Sequence, residues 1–303
     1  MHVRGRARDL LTPASSGPAR VLAHAGIDAT IARDRTIRWL ASQPVRPSLQ
    51  ALVGARGGGN LRGHLGAVVP QDRAAGNVLH LLLDDLAVLT LISWYAFSQW
   101  VPVDRLLAAA PPQLRGGMVG ACYGLRAGST ALDPAGLPRH SDLVRPVPPL
   151  HDGRDPWAWH DIEPDAAGVA MRRARRIDVW VDGSTVMVDG GFQDSMTSPD
   201  GRRRAVHEYL FAAAADRAGM LTRLSADPRV LPYTECPAAA AAVGRFVGAP
   251  LNDLRRLVLH DLGGPRGCTH LNDALRGLAD VPGLAARLND SVPATYLDSP
   301  EGP

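Results

Sequence analysis

Arg176-Ile177-Asp178-Val179-Trp180-Val181-Asp182-Gly183-Ser184-Thr185-Val186-Met187-Val188 holds two alternating, β-branched runs joined through Asp182-Gly183, a dipeptide suited to a tight hairpin turn. Residues 206–214 and 220–225 repeat the pattern across Asp216 to Gly219, and residues 21–31 and 36–40 do so near the N-terminus. Helical signals follow each strand group. Residues 48–53 form a short helix closed by Gly54, and residues 79–86 form another that carries Asp84 and Asp85 in an apolar setting. Residues 89–97, rich in β-branched and aromatic side chains, are predicted as a strand. Downstream, Cys236-Pro237 opens an alanine-rich helix toward Val247-Gly248, because proline at a helix start forfeits only an N–H that would be unpaired there anyway. Residues 251–259 give a further helix. The last begins near Thr269, with Leu271, Leu275 and Leu278 on one face, and stops before Pro282. The expected class is α+β.

The two halves read as copies of one hairpin-sheet unit followed by helices, a tandem duplication. Asp9 before Thr12-Pro13 parallels Asp194 before Thr197-Ser198-Pro199; Val53-Gly54 parallels Val247-Gly248, Arg62 parallels Arg256, and Leu83-Asp84-Asp85 parallels Leu271-Asn272-Asp273. The expected division is 1–132 for the first copy, a proline-rich strap over 133–165, a second copy over 166–288, and a disordered tail from 289 to 303. His140, His151, His160, Trp157 and Trp159 fall in the strap. The copies differ in chemistry: Cys268 falls opposite His80, and His270 opposite Leu82, so the sulfur and imidazole groups belong to the second copy.

Composition excludes several functions. The chain contains 303 residues and no lysine, so its net charge of +3 rests on arginine alone. No lysine Schiff base, pyridoxal-phosphate lysine or P-loop lysine can exist. Gly57-Gly58-Gly59-Asn60 is accordingly expected as a plain turn. The clusters Arg172-Arg173-Ala174-Arg175-Arg176 and Arg202-Arg203-Arg204 have no recognition motif beside them, so no nucleic-acid partner is expected. The apolar run 86–97 is too short for a bilayer, and no membrane partner is expected. Three cysteines and an N-terminus without an apolar signal core suggest a reducing cytoplasm.

Gly267-Cys268-Thr269-His270-Leu271, taken with Cys236, is the densest gathering of soft, titratable groups. Three readings stay open. Cys236, Cys268 and His270 could bind zinc or iron, with Asp194 or His207 as a fourth partner or base. Alternatively Cys268 is a thiolate nucleophile, its pKa lowered at a helix start capped by Thr269, with His270 or His207 as base. In the third, the cysteines are buried filler and His270 caps a helix. The catalytic candidates are therefore Asp194, His207 and Cys268. An enzyme of this kind would act on a small organic molecule between the halves, with Arg175, Arg176 or Arg256 pairing with its carboxylate. A metal, sulfur or cluster carrier, or a partner-binding protein without a site, are the alternatives.

Arg175-Arg176-Ile177-Asp178, Phe192-Gln193-Asp194-Ser195, His207-Glu208-Tyr209, Cys236 and the closing Gly-Cys-Thr-His-Leu motif resemble, over almost the whole chain, a bacterial family known as Domain of Unknown Function 2889. That family name implies no activity. The arrangement of hairpin, cysteine-led helix and Cys/His-led helix is also similar to iron–sulfur scaffolds of the NifU type. That similarity implies NifU-like halves in which Cys236, Cys268 and His270 gather an ion or cluster.

Overall fold

Strand-forming residues gather in two runs, and each run builds its own antiparallel sheet. The structure, a computed structural model, describes residues 1–13, 18–109, 118–141, 143–147, 150, 153–159 and 168–289. The first sheet contains β1 (His2–Leu11), β2 (Arg20–Ile31) and β3 (Ile37–Gln43) in that order. The second contains β4 (Arg145–Pro146), β5 (Met171–Asp182), β6 (Thr185–Thr197), β7 (Arg203–Ala215) and β8 (Leu221–Val230). Its order is β4-β7-β6-β5, with β8 also paired to β7. All three expected hairpins form. β4 falls within the stretch expected to hold no regular element; proline is tolerated at such a sheet margin. His151, His160 and Pro164 of the strap, and residues 290–303 of the expected tail, lie outside the described residues.

The helices are α1 (Gly59–Val68), α2 (Pro70–Ala74), α3 (Val78–Ser98), α4 (Val103–Ala109), α5 (Leu254–Asp261), α6 (Thr269–Gly277) and α7 (Val281–Asn289). Shorter 3₁₀ turns cover Pro47–Leu52 and Cys236–Phe246. Three expectations are corrected. The glycine run at 57–59 leads into α1 rather than forming a plain turn. Pro282 sits in the first turn of α7, where its missing N–H is harmless, so the chain continues as helix beyond it. Residues 89–97 are not a strand: they complete α3.

The reason lies in packing and in what the sequence lacks. No glycine or proline interrupts residues 78–98, and Asn77 caps the start by accepting from the N–H groups of Leu79 and His80 at 3.0 and 3.1 Å. The hydroxyls of Thr90, Ser93 and Ser98 return to carbonyls of the preceding turn at 3.1, 3.2 and 2.9 Å, which removes their usual objection to a helix interior. Tertiary contacts then override β propensity. α3 packs on β1 and β2 of the first sheet and on β5 and β6 of the second. Its 21 residues are long and apolar enough to cross a membrane, longer than the run 86–97 suggested, yet over half of its most apolar window is buried in this fold.

Two large cores result. Ile27, Ile37, Leu52, Leu65, Leu79 and Leu83 belong to the first; Val188, Phe192, Tyr209, Phe246, Leu254 and Leu275 to the second. Leu125 and Ala131, upstream of the strap, pack into the second core. A smaller cluster of Ala96, Met196 and Val206 joins the end of α3 to the second sheet. The halves share backbone details. Bulges occur at Asp9/Leu10 and at Asp194/Ser195. Arg35 and Gly219 turn the β2–β3 and β7–β8 hairpins with φ of 71° and 78°. Gly54 and Gly248 then donate to Ile37 and Leu221 carbonyls at 2.8 and 2.7 Å, with φ of 90° and 88°.

Between the halves runs a buried ladder of ion pairs. Arg276 Nη2 grips both carboxylate oxygens of Asp84. Its Nη1 reaches Asp273 at 3.0 Å, and Arg62 bridges Asp84 and Asp273 at 3.2 and 2.5 Å. Arg173 contacts Asp273 and Asp85 at 3.3 and 3.4 Å and closes on Asp194 at 2.7 Å. Arg175 adds a contact to Asp85 at 3.2 Å. Burial alone would raise the pKa of Asp84, but Arg276 and Arg62 hold it down at about 2. Asp273 is pushed up by burial despite its arginines, which offsets part of that gain.

Replacing Arg276 with Met, which takes away the clasp on both Asp84 oxygens and leaves Asp84 to Arg62 alone and Asp273 to Arg62 and Arg173, is expected to cost about 3 kcal/mol in urea unfolding. A depressed folded-state pKa contributes stability only above the unfolded value. Stability of the wild-type chain should therefore fall as pH drops from about 4 toward 2, and an Asp84→Asn variant should lose less over that window.

Candidate functional site

Alternation along β6 and β7 assigns neighbouring residues to opposite faces. The register pairs Asp194 with His207 and, one step along, Gln193 with Glu208. Asp194 and His207 are 0% and 2% exposed and meet the first turn of α6. That helix starts because the Cys268 carbonyl accepts from Asn272 N–H at 2.8 Å; Cys268, and not the expected Thr269, occupies the capping position. His270, in the first turn, stacks on His207 with ring centroids 3.6 Å apart and planes inclined by 22°. Tyr95 of α3 also meets His207, with ring centroids 5.2 Å apart and planes nearly perpendicular.

Arg173 Nε and Nη2 hold both oxygens of Asp194 at 2.7 and 2.8 Å, a bidentate clasp set by direct register pairing of the two residues. His207 Nδ1 lies 3.5 Å from Asp194 Oδ2, too far for a good hydrogen bond, and is buried without another partner. One ligand atom each from Asp194, His207 and His270 lie within 4.8 Å of one another. Burial lowers the pKa of His207, although Asp194 opposes it. Burial, followed by His207 itself, depresses His270 well below its usual value. Asp194 is held ionised: burial would raise its pKa, but Arg173 outweighs it. The site is thus two neutral imidazoles beside one carboxylate.

The cysteines behave otherwise than expected. Cys268 Sγ lies 3.9 Å from His270 Nδ1. Its pKa is pushed up to about 11 by burial, which outweighs the N–H groups of Leu271 and His270 at the helix start. Burial raises Cys236 as well. Neither is the activated thiolate that a helix N-terminus alone would produce. Cys236 packs its Sγ against Gly124, where any Cβ would collide, and its carbonyl faces Tyr209 Oη at 3.4 Å. Among the described residues the cluster of potential metal donors is Asp194, His207 and His270; Cys236 does not join it, and Cys268 flanks it.

The arginines expected to bind substrate are not brought together. Arg175 is buried in the ionic ladder and donates to the Asp273 carbonyl at 3.1 Å. Arg176 lies on the opposite face of the sheet, bound to Asp178 and Asp155 at 2.8 Å each. Arg256 projects from α5 into solvent beside Asp253 at 3.1 Å. Sequence reasoning missed Arg173 and Tyr95. Arg173 could have been found, because it shares a strand face with Arg175 and lies across from Asp194. Tyr95 sits in the segment misassigned as a strand.

One protein-family model, described as a protein of unknown function (DUF2889), matches residues 171–283. This span contains Asp194, His207 and His270, and is shorter than the near-complete resemblance expected from the motifs. No curated protein matches, and no solved structure matches, so the similarity to NifU-type scaffolds gains no support.

With both thiols protonated and enclosed at neutral pH, iodoacetamide should label Cys236 and Cys268 far more slowly in the folded chain than in urea. Peptide mass spectrometry resolves the two positions. Rapid native labelling of Cys268 would show an ionised thiolate and contradict this account.

Proposed function

We propose, taking residues 171–283 as a member of the DUF2889 family of unknown function, that the chain binds one zinc or iron ion through Asp194, His207 and His270 and uses it in metal-assisted chemistry on a small organic molecule. The observation that supports this reading is the convergence of those three ligand atoms within 4.8 Å. Two histidines with one carboxylate suit non-haem iron and catalytic zinc alike. Their protonation states are already those that ligation requires. A metal held there would polarise a carbonyl or activate water. Arg173 would act as the outer partner that orients the Asp194 carboxylate, leaving a second lone pair on each oxygen free. Ligation also requires the two imidazoles to rotate out of their near-parallel stack, so that their nitrogens point at a common centre.

A metal carrier without catalysis is the second reading. Its support is enclosure: Asp194 and His207 are almost wholly buried, whereas a substrate needs access to a reacting centre. The duplication belongs to either reading. Matching bulges, hairpin turns and glycine returns support two copies of one unit, with Asp9 and Ala23 at the positions of Asp194 and His207. On that alignment the first copy retains the carboxylate, now paired with Arg287 at 2.6 Å, and lacks both imidazoles. The free state of Cys122, Cys236 and Cys268 supports a reducing compartment.

Metal analysis tests the ion site that both readings share. Wild-type chain purified without chelator should carry stoichiometric zinc or iron; His207→Ala and His270→Ala should lose it, and Cys236→Ser should keep it. Protonation of a ligating imidazole expels metal, and burial lowers both histidine pKa values, so metal should be retained as pH falls through 6.5. Equal metal content in wild type and His270→Ala would remove the proposal. Iron accompanied by acid-labile sulfide would instead favour the carrier.

A further inference from the structure

The motifs that send Asp194 and His207 inward send Gln193 and Glu208 to the opposite face of the sheet, and nothing in the metal reading uses that face. There, a 660 Å³ pocket is lined by Trp159, Arg176, Asp189, Gly191, Gln193 and Glu208, among others. Its size is that of a small-molecule site. Gly191 keeps the floor flat: a Cβ there would approach Leu210 Cδ2 to 2.8 Å and the Tyr209 carbonyl to 2.9 Å.

Two observations define what such a ligand must supply. Gln193 is only 9% exposed; its Nε2 donates to Glu208 Oε2 at 3.3 Å, while its Oε1 is buried with no hydrogen-bond partner. A buried acceptor left unpaired is costly, and a ligand N–H would satisfy it. The charge balance points the same way. Arg176 is already neutralised by Asp178 and Asp155, whereas among the described residues neither Glu208 nor Asp189 has an ion-pair partner. The pocket is therefore short of positive charge and of donors together. Trp159, Leu150 and Phe211 add aromatic and apolar walls, which suit the carbon chain of an organic cation better than a hydrated metal ion.

We infer that this outward pocket binds a small organic cation with N–H donors, an alkylammonium or guanidinium compound, through Gln193 Oε1 and the Glu208 carboxylate. The site is separate from the Asp194–His207–His270 cluster and does not depend on the presence of metal there.

Isothermal titration of the full chain with agmatine, which carries both cationic groups, tests the inference. Saturable one-site binding is expected, with no heat from n-butanol or butyrate. Glu208→Gln, which keeps the shape, and Gln193→Leu should each weaken binding about tenfold or more, the factor for losing a charged or buried hydrogen bond. Asp261→Asn, a surface change elsewhere, should leave it unchanged. The difference in emission quenching between wild type and Trp159→Phe gives a second readout that needs no pocket-polar variant. Absence of saturable binding to the wild-type chain overturns the inference, as does equal weakening by Asp261→Asn or displacement of agmatine by millimolar calcium.

Discussion

The guanidinium of Arg173 is the group on which the two halves of this molecule turn. It clasps Asp194 in the second sheet and, through its remaining nitrogen, reaches Asp85 of α3 and Asp273 of α6. Each of those carboxylates would be costly to enclose without a cation. Arg62, Arg173, Arg175 and Arg276 face Asp84, Asp85, Asp194 and Asp273, so the charges balance within one largely buried interface. The cost of removing these charges from water offsets much of their mutual attraction, so the network adds little net stability for its size. Here it positions the Asp194 carboxylate and, through α6, the His270 ring.

Hydrophobic burial builds the cores on either side, yet it does not determine how the halves meet. α3 does that. Its apolar faces pack on both sheets, its paired aspartates enter the ionic ladder, and its far end presents Tyr95 to His207. The site is thus assembled from both halves, although its donors belong to the second alone. Arginine suits this interface because its planar fork can serve several carboxylates at once, whereas lysine offers a single point charge. That is one physical rationale for so arginine-rich a composition at the centre of the fold.

Much of the architecture was legible in the sequence, for reasons tied to particular residues. Asp182-Gly183 and the alternation around it announce a hairpin locally, without help from distant parts of the chain. Asp194, His207 and His270 were legible as chemistry because few residue types can ligate or exchange protons. The rest depended on what lies far away in sequence. Residues 89–97 have strand-like composition and are helical only because two sheets pack against α3. Cys236 and Cys268 sit at helix starts as expected, but whether they ionise is decided by enclosure, which no local pattern records. Arg173 was hidden among many arginines, distinguished only by a register that the fold supplies.

Sharing α3 between two sheets also has a bearing on the order of synthesis. The ribosome releases Asp84 and Asp85 long before Arg173, Arg175 and Arg276, which lie about ninety to two hundred residues later and neutralise them. Until those arginines emerge, Asp84 has Arg62 of the network within the first half, Asp85 has neither of its arginines, and the second partner sheet of the helix does not yet exist. The early portion of the chain therefore waits, and docking is completed only when the closing helices arrive from the exit tunnel.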